Sequence, residues 1–247
     1  LEQLQASGTT PLTVDATGLV WQTWAYWTSQ QIGGAVGVNE LVTGKRKFAS
    51  PEYIAASAGW AKMQSFAVPG AETMSGAEAY QMLFTGQAAM TTAGSWIIGD
   101  AFTALGDQLG MIKYPDFIES APITHGGIGG AGNAFIVSNY SQHKDETVAF
   151  IKFLMSKEEQ KMKVASGEGA LSNVTDVDFA TIFTDPFKIT QQAWANEPST
   201  IFWNDNVYPA ELTTEIAAQA QLAWTGQISA EEFMSRIDAK RDELLEG

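Results

Sequence analysis

The chain has 247 residues, 45% hydrophobic and 17% charged, which is enough length and apolar content for one large domain or two small ones around a packed core. Fourteen basic residues against 28 acidic ones leave a net charge of −14, which argues against nucleic acid and against an anionic membrane surface, both of which need Lys and Arg. The absence of cysteine excludes disulfides and thiolate metal sites and fits a bacterial extracytoplasmic protein, and no run approaches the length of a membrane span.

In chain order, Leu1–Ser7 reads as the second half of an amphipathic helix stopped by Gly8, so the chain looks entered mid-helix. Thr10–Asp15, TPLTVD, is strand-like. Thr17 can cap a helix from Gly18 to about Ile32, which carries Trp21, Trp24 and Trp27 at a spacing of three, nearly on one face. Such a stripe suits a core or a ligand face, and both readings stay open at this point. Val36–Phe48 reads as a connection with a solvated basic turn at Lys45–Lys47. Ser50 and Pro51 mark a helix start, and that helix runs to about Phe66 with Tyr53, Trp60 and Met63 inward.

Ser75 and Glu78 form a capping box, and the helix they start ends at Gly86. Ala88–Thr92 has strand length and composition. Gly94 then permits a sharp turn, Ser95 can cap the next helix, and Trp96 falls in that helix's first turn. This is just past the end of a strand, where ligands bind in open α/β sheets. The helix continues to about Leu105, and Gln108–Tyr114 reads as a strand. The segment 121–132 holds five glycines but lacks the Lys-Ser/Thr ending of a phosphate loop, so it suits close approach of a ligand or a crossover.

Asn133–Ser138 reads as a strand and Ser141–Met155 as an amphipathic helix; Ser156 with Glu159 caps another helix, to about Ser166. Pro186–Asn196 reads as helix and Glu197–Pro209, with Trp203, Asp205 and Tyr208, as a loop whose ring and polar groups suit a hydroxyl-rich ligand. A helix over Ala210–Thr225 is stopped by Gly226, and Ser229 with Glu232 starts the last one. Strands alternating with helices give the class α/β. The two histidines, His125 and His143, are not at metal-ligand spacing, and no Gly-x-Ser-x-Gly elbow occurs. Carboxylates are plentiful, with Asp15, Asp100 and Asp205 near likely cleft positions, so a paired-carboxylate glycosidase, for instance through Asp100 and Asp205, remains an alternative. A non-binding interaction fragment whose tryptophans are all core is a second alternative.

Several stretches together carry a resemblance: TPLTVDATGLVWQTWAYW, FTGQAAMTTAGSW, GGIGGAGNAFIVS, HKDETVAFIKFLMSKEEQKMKVASGEGAL and GQISAEEFMSRIDAKRDELL. The chain resembles the extracellular solute-binding proteins of bacterial sugar ABC importers, the maltose-binding-protein-like group. The resemblance implies a type II periplasmic-binding-protein-like α/β fold of two lobes that capture a sugar or oligosaccharide in an aromatic-lined cleft, without chemistry and with no cofactor or metal. It implies partnership with ABC importer membrane subunits and a periplasmic or extracellular location, any lipid anchor lying ahead of Leu1. It carries ligand contact onto Trp96, Trp21, Trp24, Gly129 and Gly130, and more loosely onto Trp203 and Asp205.

Family members carry a longer front segment, so the resemblance implies that roughly the first third lies outside this sequence. Residues 1–130 and 178–247 then form the second lobe, and 131–177 cross to the first. The helices over 144–167 are expected to expose apolar surface or to pack on that segment or another chain. Sugar affinity of the chain alone is expected to be weak.

Overall fold

The computed structural model describes residues 1–18, 20–31, 34–113, 128–129, 134–165, 201–202 and 207–246. The chain divides into two compact units, Leu1–Thr92 with Ile112–Gly130 and Ser199–Gly247, and Ala93–Met111 with Ala131–Pro198.

The first unit is a helical core laid against short parallel strands. Helix α1 spans Glu2–Ala6, β1 Leu12–Thr13, α2 Val20–Gln31, α3 Gly34–Val42, α4 Pro51–Lys62, α5 Gly76–Phe84 and β2 Met90–Thr91. Strand β1 pairs in parallel with β2, in the register Leu12 to Met90 and Thr13 to Thr91. On its other side Leu12 bridges Ala67, and its carbonyl accepts from the Val68 N–H. A second parallel pair joins β3, Ile128–Gly129, to β4, Ile201–Phe202.

Two capping signals act as expected. Ser75 and Glu78 make the reciprocal box, and the bonds from the Ser75 hydroxyl and N–H hold the Glu78 carboxyl below its usual range. Gly86, at φ +70°, ends α5 in a Schellman turn, with Gln87 N–H donating to Met82 O and Gly86 N–H to Leu83 O.

Two of our sequence expectations fail in this unit. Residues 34–42 are helix α3, not a connection, because Val38 and Leu41 are needed in the core. Ser50 precedes Pro51 at the start of α4, but its hydroxyl makes no cap bond. The loop there is held instead by Asp238 of the last helix, whose carboxylate accepts from the N–H groups of Phe48 and Ala49.

Helices α9, Ala210–Trp224, and α10, Ala230–Glu246, pack on α2 and α4. The core they enclose contains Trp24, Phe48, Tyr53, Trp60, Trp224 and Phe233. Trp60 donates its indole N–H to Thr23 Oγ1, so an aromatic this deep leaves no polar atom unpaired there. Burial pushes the Tyr53 phenol up to about 12, against the opposing bond from Thr28, and burial also raises Tyr208. In the unfolded chain both phenols ionise near about 10. Their neutral forms are favoured in the native state, so this contribution to stability is intact below pH of about 10 and is lost as pH rises toward 12. Thermal melts across that range are expected to fall steeply, and Tyr53→Phe to flatten the fall. A melting temperature that stays level to pH of about 12 would contradict the assignment.

The second unit holds α6, Ile98–Leu105, entered through a 3-10 turn over Ser95–Ile97, and a helix pair, α7 Lys144–Leu154 and α8 Lys157–Ala165. Residues 109–113 and 134–138 form no strand, contrary to the sequence expectation. A strand needs a neighbour for its N–H and C=O groups, and the described residues supply none; Phe135 and Ile136 are exposed, Ile136 at 88%. The α7 face is also bare: Phe150 and Phe153 stack on each other at 6.5 Å between centroids, with Phe150 58% exposed.

Candidate ligand-binding site

The sequence nominated residues at strand ends and on one helix, and the structure sorts them. Trp24 lies in the core at 0% exposure. Its ring meets Tyr53 edge-on at 5.8 Å and Phe233 at 5.0 Å, and its N–H donates to Ser57 Oγ at 2.9 Å. No face of this indole is open to a ligand, so Trp24 is a structural residue and leaves the candidate set. Trp21, three positions earlier in α2, is half-buried and packs on the rim of the same core.

Trp96 differs from both. It sits in the 3-10 turn before α6 and is 46% exposed. Its six-membered ring lies over Gly94: a Cβ built there would fall 2.1 Å from the ring. The sequence pointed to Gly94 as the residue that permits a sharp turn, but its φ of −104° is ordinary extended backbone. The glycine is required for space, because only a bare Cα lets the indole lie flat on the chain. Ser95 makes no cap bond. Trp96 is thus a flat aromatic seated on its own backbone and still half open to solvent, the form a stacking platform takes.

Gly129 lies in β3, in register with Phe202 of β4. The glycine-rich stretch and the expected loop before Pro209 therefore each contribute a strand that the sequence reading missed, since a two-residue strand has no periodicity to detect. Gly130, Trp203 and Asp205 lie outside the described residues. A shallow hollow beside α5, lined by Gly70, Met74, Glu78 and Met82 among others, contains none of the nominated residues. Among the described residues no group of three His, Asp or Glu side chains is placed to hold a metal ion, and no helix is long and apolar enough to cross a membrane.

The model of the bacterial extracellular solute-binding proteins matches residues 1–161. The chain belongs to that family. Several solved structures share the solute-binding fold. One comes from work on xylan utilization by the thermophilic bacterium Caldanaerobius polysaccharolyticus, at 21% identity and a TM-score of 0.79, covering 97% of this chain and 63% of that one. A chitin oligosaccharide binding protein matches at 18% identity and a TM-score of 0.79, over 98% and 61% of the two chains. A sugar transporter from Bacillus licheniformis in complex with stachyose matches at 17% and 0.74, over 96% and 62%. At these identities the likeness establishes the fold, which is α/β and periplasmic-binding-protein-like, in a mostly helical form. This solute-binding chain spans less than two thirds of the length of those structures. No functionally curated protein matches the sequence.

Proposed function

We propose that the chain captures an oligosaccharide, without chemistry, as part of the substrate-binding component of a bacterial ABC importer outside the cytoplasm. The observation that carries this reading is Trp96, an indole laid flat on Gly94 and half exposed where its chain leaves a parallel strand. A sugar ring offers an apolar face of C–H groups that stacks on such a surface, while its hydroxyls seek directed polar partners. Membership of an extracellular solute-binding family supports capture over turnover. So do the names of proteins sharing the fold, which include binders of chitin oligosaccharide, raffinose and stachyose. On this reading residues 1–130 and 178–247 form the second lobe, 131–177 contribute to the first, and the partners are the importer's membrane subunits.

Titration with raffinose, stachyose, chitin oligosaccharides and xylan-derived oligosaccharides, followed by tryptophan fluorescence, is expected to give a saturable shift with at least one of them. Trp96→Ala is expected to weaken that binding by roughly ten-fold, the scale of an aromatic contact, while leaving the melting temperature nearly unchanged. A flat response across the panel, or a Trp96→Ala variant that binds as well as the parent, would refute the reading.

A further inference from the structure

Asp15 lies two residues past the C-terminal end of β1 and is only 8% exposed. Its two carboxylate oxygens are in different situations. Oδ1 accepts from the Gly18 N–H at 2.8 Å and from the Thr17 hydroxyl at 3.4 Å, so it closes the turn that leads into α2. This replaces the cap that the sequence placed on Thr17. Oδ2 has no hydrogen-bond partner among the described residues, and no Lys or Arg among them forms an ion pair with Asp15. Oδ2 therefore keeps acceptor capacity that no described group uses.

The surroundings of Oδ2 are kept bare. A Cβ at Gly18 would fall 2.9 Å from it and a Cβ at Gly76 would fall 2.7 Å from it. Neither glycine has a positive φ, so space and not backbone conformation is what requires them. The turn is fixed: Ala16 and Thr17 donate their N–H groups to Met74 O, tying the entry of α2 to the entry of α5. One residue past the end of the paired strand β2, the Thr92 hydroxyl is likewise buried and without a partner. Two polar atoms to which no described group bonds therefore mark the same end of one parallel strand pair, the end at which α/β folds take ligands.

We propose that Asp15 is a ligand-binding residue whose Oδ2 accepts a hydrogen bond from a hydroxyl of the captured sugar. The proposal rests on the reading that the chain captures an oligosaccharide. A carboxylate oxygen is a strong, acceptor-only partner for a hydroxyl, and here it is held rigid by the work of its twin. Trp21 stands in the first turn of α2, just past the turn that Asp15 closes, so the ring of the sugar and one of its hydroxyls would find partners at one helix entry.

Asp15→Asn separates the two oxygens, because the amide keeps an acceptor for Gly18 N–H and puts a donor where Oδ2 stood. Asp15→Ser keeps the turn through its hydroxyl and leaves the Oδ2 position empty. Affinity is measured by ligand-observed NMR, which detects weak binding, using raffinose, stachyose, and chitin- and xylan-derived oligosaccharides; folding is followed by thermal melts. Both variants are expected to bind the sugar that wild type binds roughly ten- to a hundred-fold more weakly at an unchanged melting temperature. Wild-type affinity in either folded variant overturns the assignment, and so does unfolding of both, which would confine Asp15 to a structural role. A wild-type chain that takes up none of these sugars instead defeats the capture reading itself.

Discussion

Asp238→Ala is expected to destabilise the protein by about 3–5 kcal/mol, the cost of breaking a buried ion pair from one side. Asp238 accepts from Phe48 N–H and Ala49 N–H, both at 2.9 Å, and pairs with Arg241 at 2.8 Å. Arg241 is 3% exposed; it donates to the carbonyls of Leu41 and Arg46 and lies 5.9 Å above the Phe48 ring. One turn of the last helix thus holds the whole connection from α3 to α4. Removing the carboxylate strands two backbone donors and leaves the guanidinium with only Asp242 among carboxylates. For a chain of this size the melting temperature should drop by on the order of 10 °C. Asp238→Asn, which can accept from only one of the two N–H groups, should lie between. A melt within about 2 °C of wild type for Asp238→Ala would show that the clamp contributes nothing.

Trp24→Ala is expected to cost about 3–5 kcal/mol, the range for emptying a large aromatic site in a core. The indole is surrounded by Tyr53, Phe233 and Ser57, and its loss leaves a cavity and removes one of the two bonds of the Ser57 hydroxyl, which keeps its bond to Met234 Sδ. Trp24→Phe should recover most of the packing and lose mainly the bond to Ser57. The contrast with Trp96 is the informative part: the same truncation should unfold at one position and spare the fold at the other. Chemical denaturation of both variants measures it. Equal destabilisation at the two sites would mean that Trp96 also serves the core.

The contrast also shows where reading the sequence stops. Trp21, Trp24, Trp27 and Trp96 are chemically alike in the sequence, and helical spacing put three of them on one face. Spacing says which residues share a face; it does not say what covers that face. Trp24 is buried because α4 and α10 bring Ser57 and Phe233 over it from positions 33 and 209 residues away in sequence (57 − 24 and 233 − 24). Trp96 stays 46% exposed, with its ring crowded against its own backbone at Gly94.

Local signals behaved differently. The Ser75–Glu78 box and the Gly86 and Gly226 stops were legible because a cap is satisfied within four residues of chain, and no distant partner can alter it. Caps that compete with a better partner were misread. Thr17 yields to Asp15, whose carboxylate takes the Gly18 N–H, and the Ser50 hydroxyl makes no cap bond at all. Helix α3 was missed although Val38, Leu41 and Val42 have helical spacing, since its glycines drew the eye to a connection. The stretch 134–138 has strand composition yet forms none, because strand is a property of a pair.

By itself, then, the sequence determined the class, the helix starts and stops that close locally, and the family, and it nominated a short set of residues for ligand contact. Only the tertiary structure decided which tryptophan is buried in the core and which stays half exposed. It also decided why Gly94, Gly18 and Gly76 must be glycine, and that among the described residues only Oδ1 of Asp15 is bonded. The physical reason is range: capping bonds and periodicity act within a turn of helix, whereas burial, crowding at a Cβ and an unmet hydrogen bond are set by segments that meet only when the chain has folded.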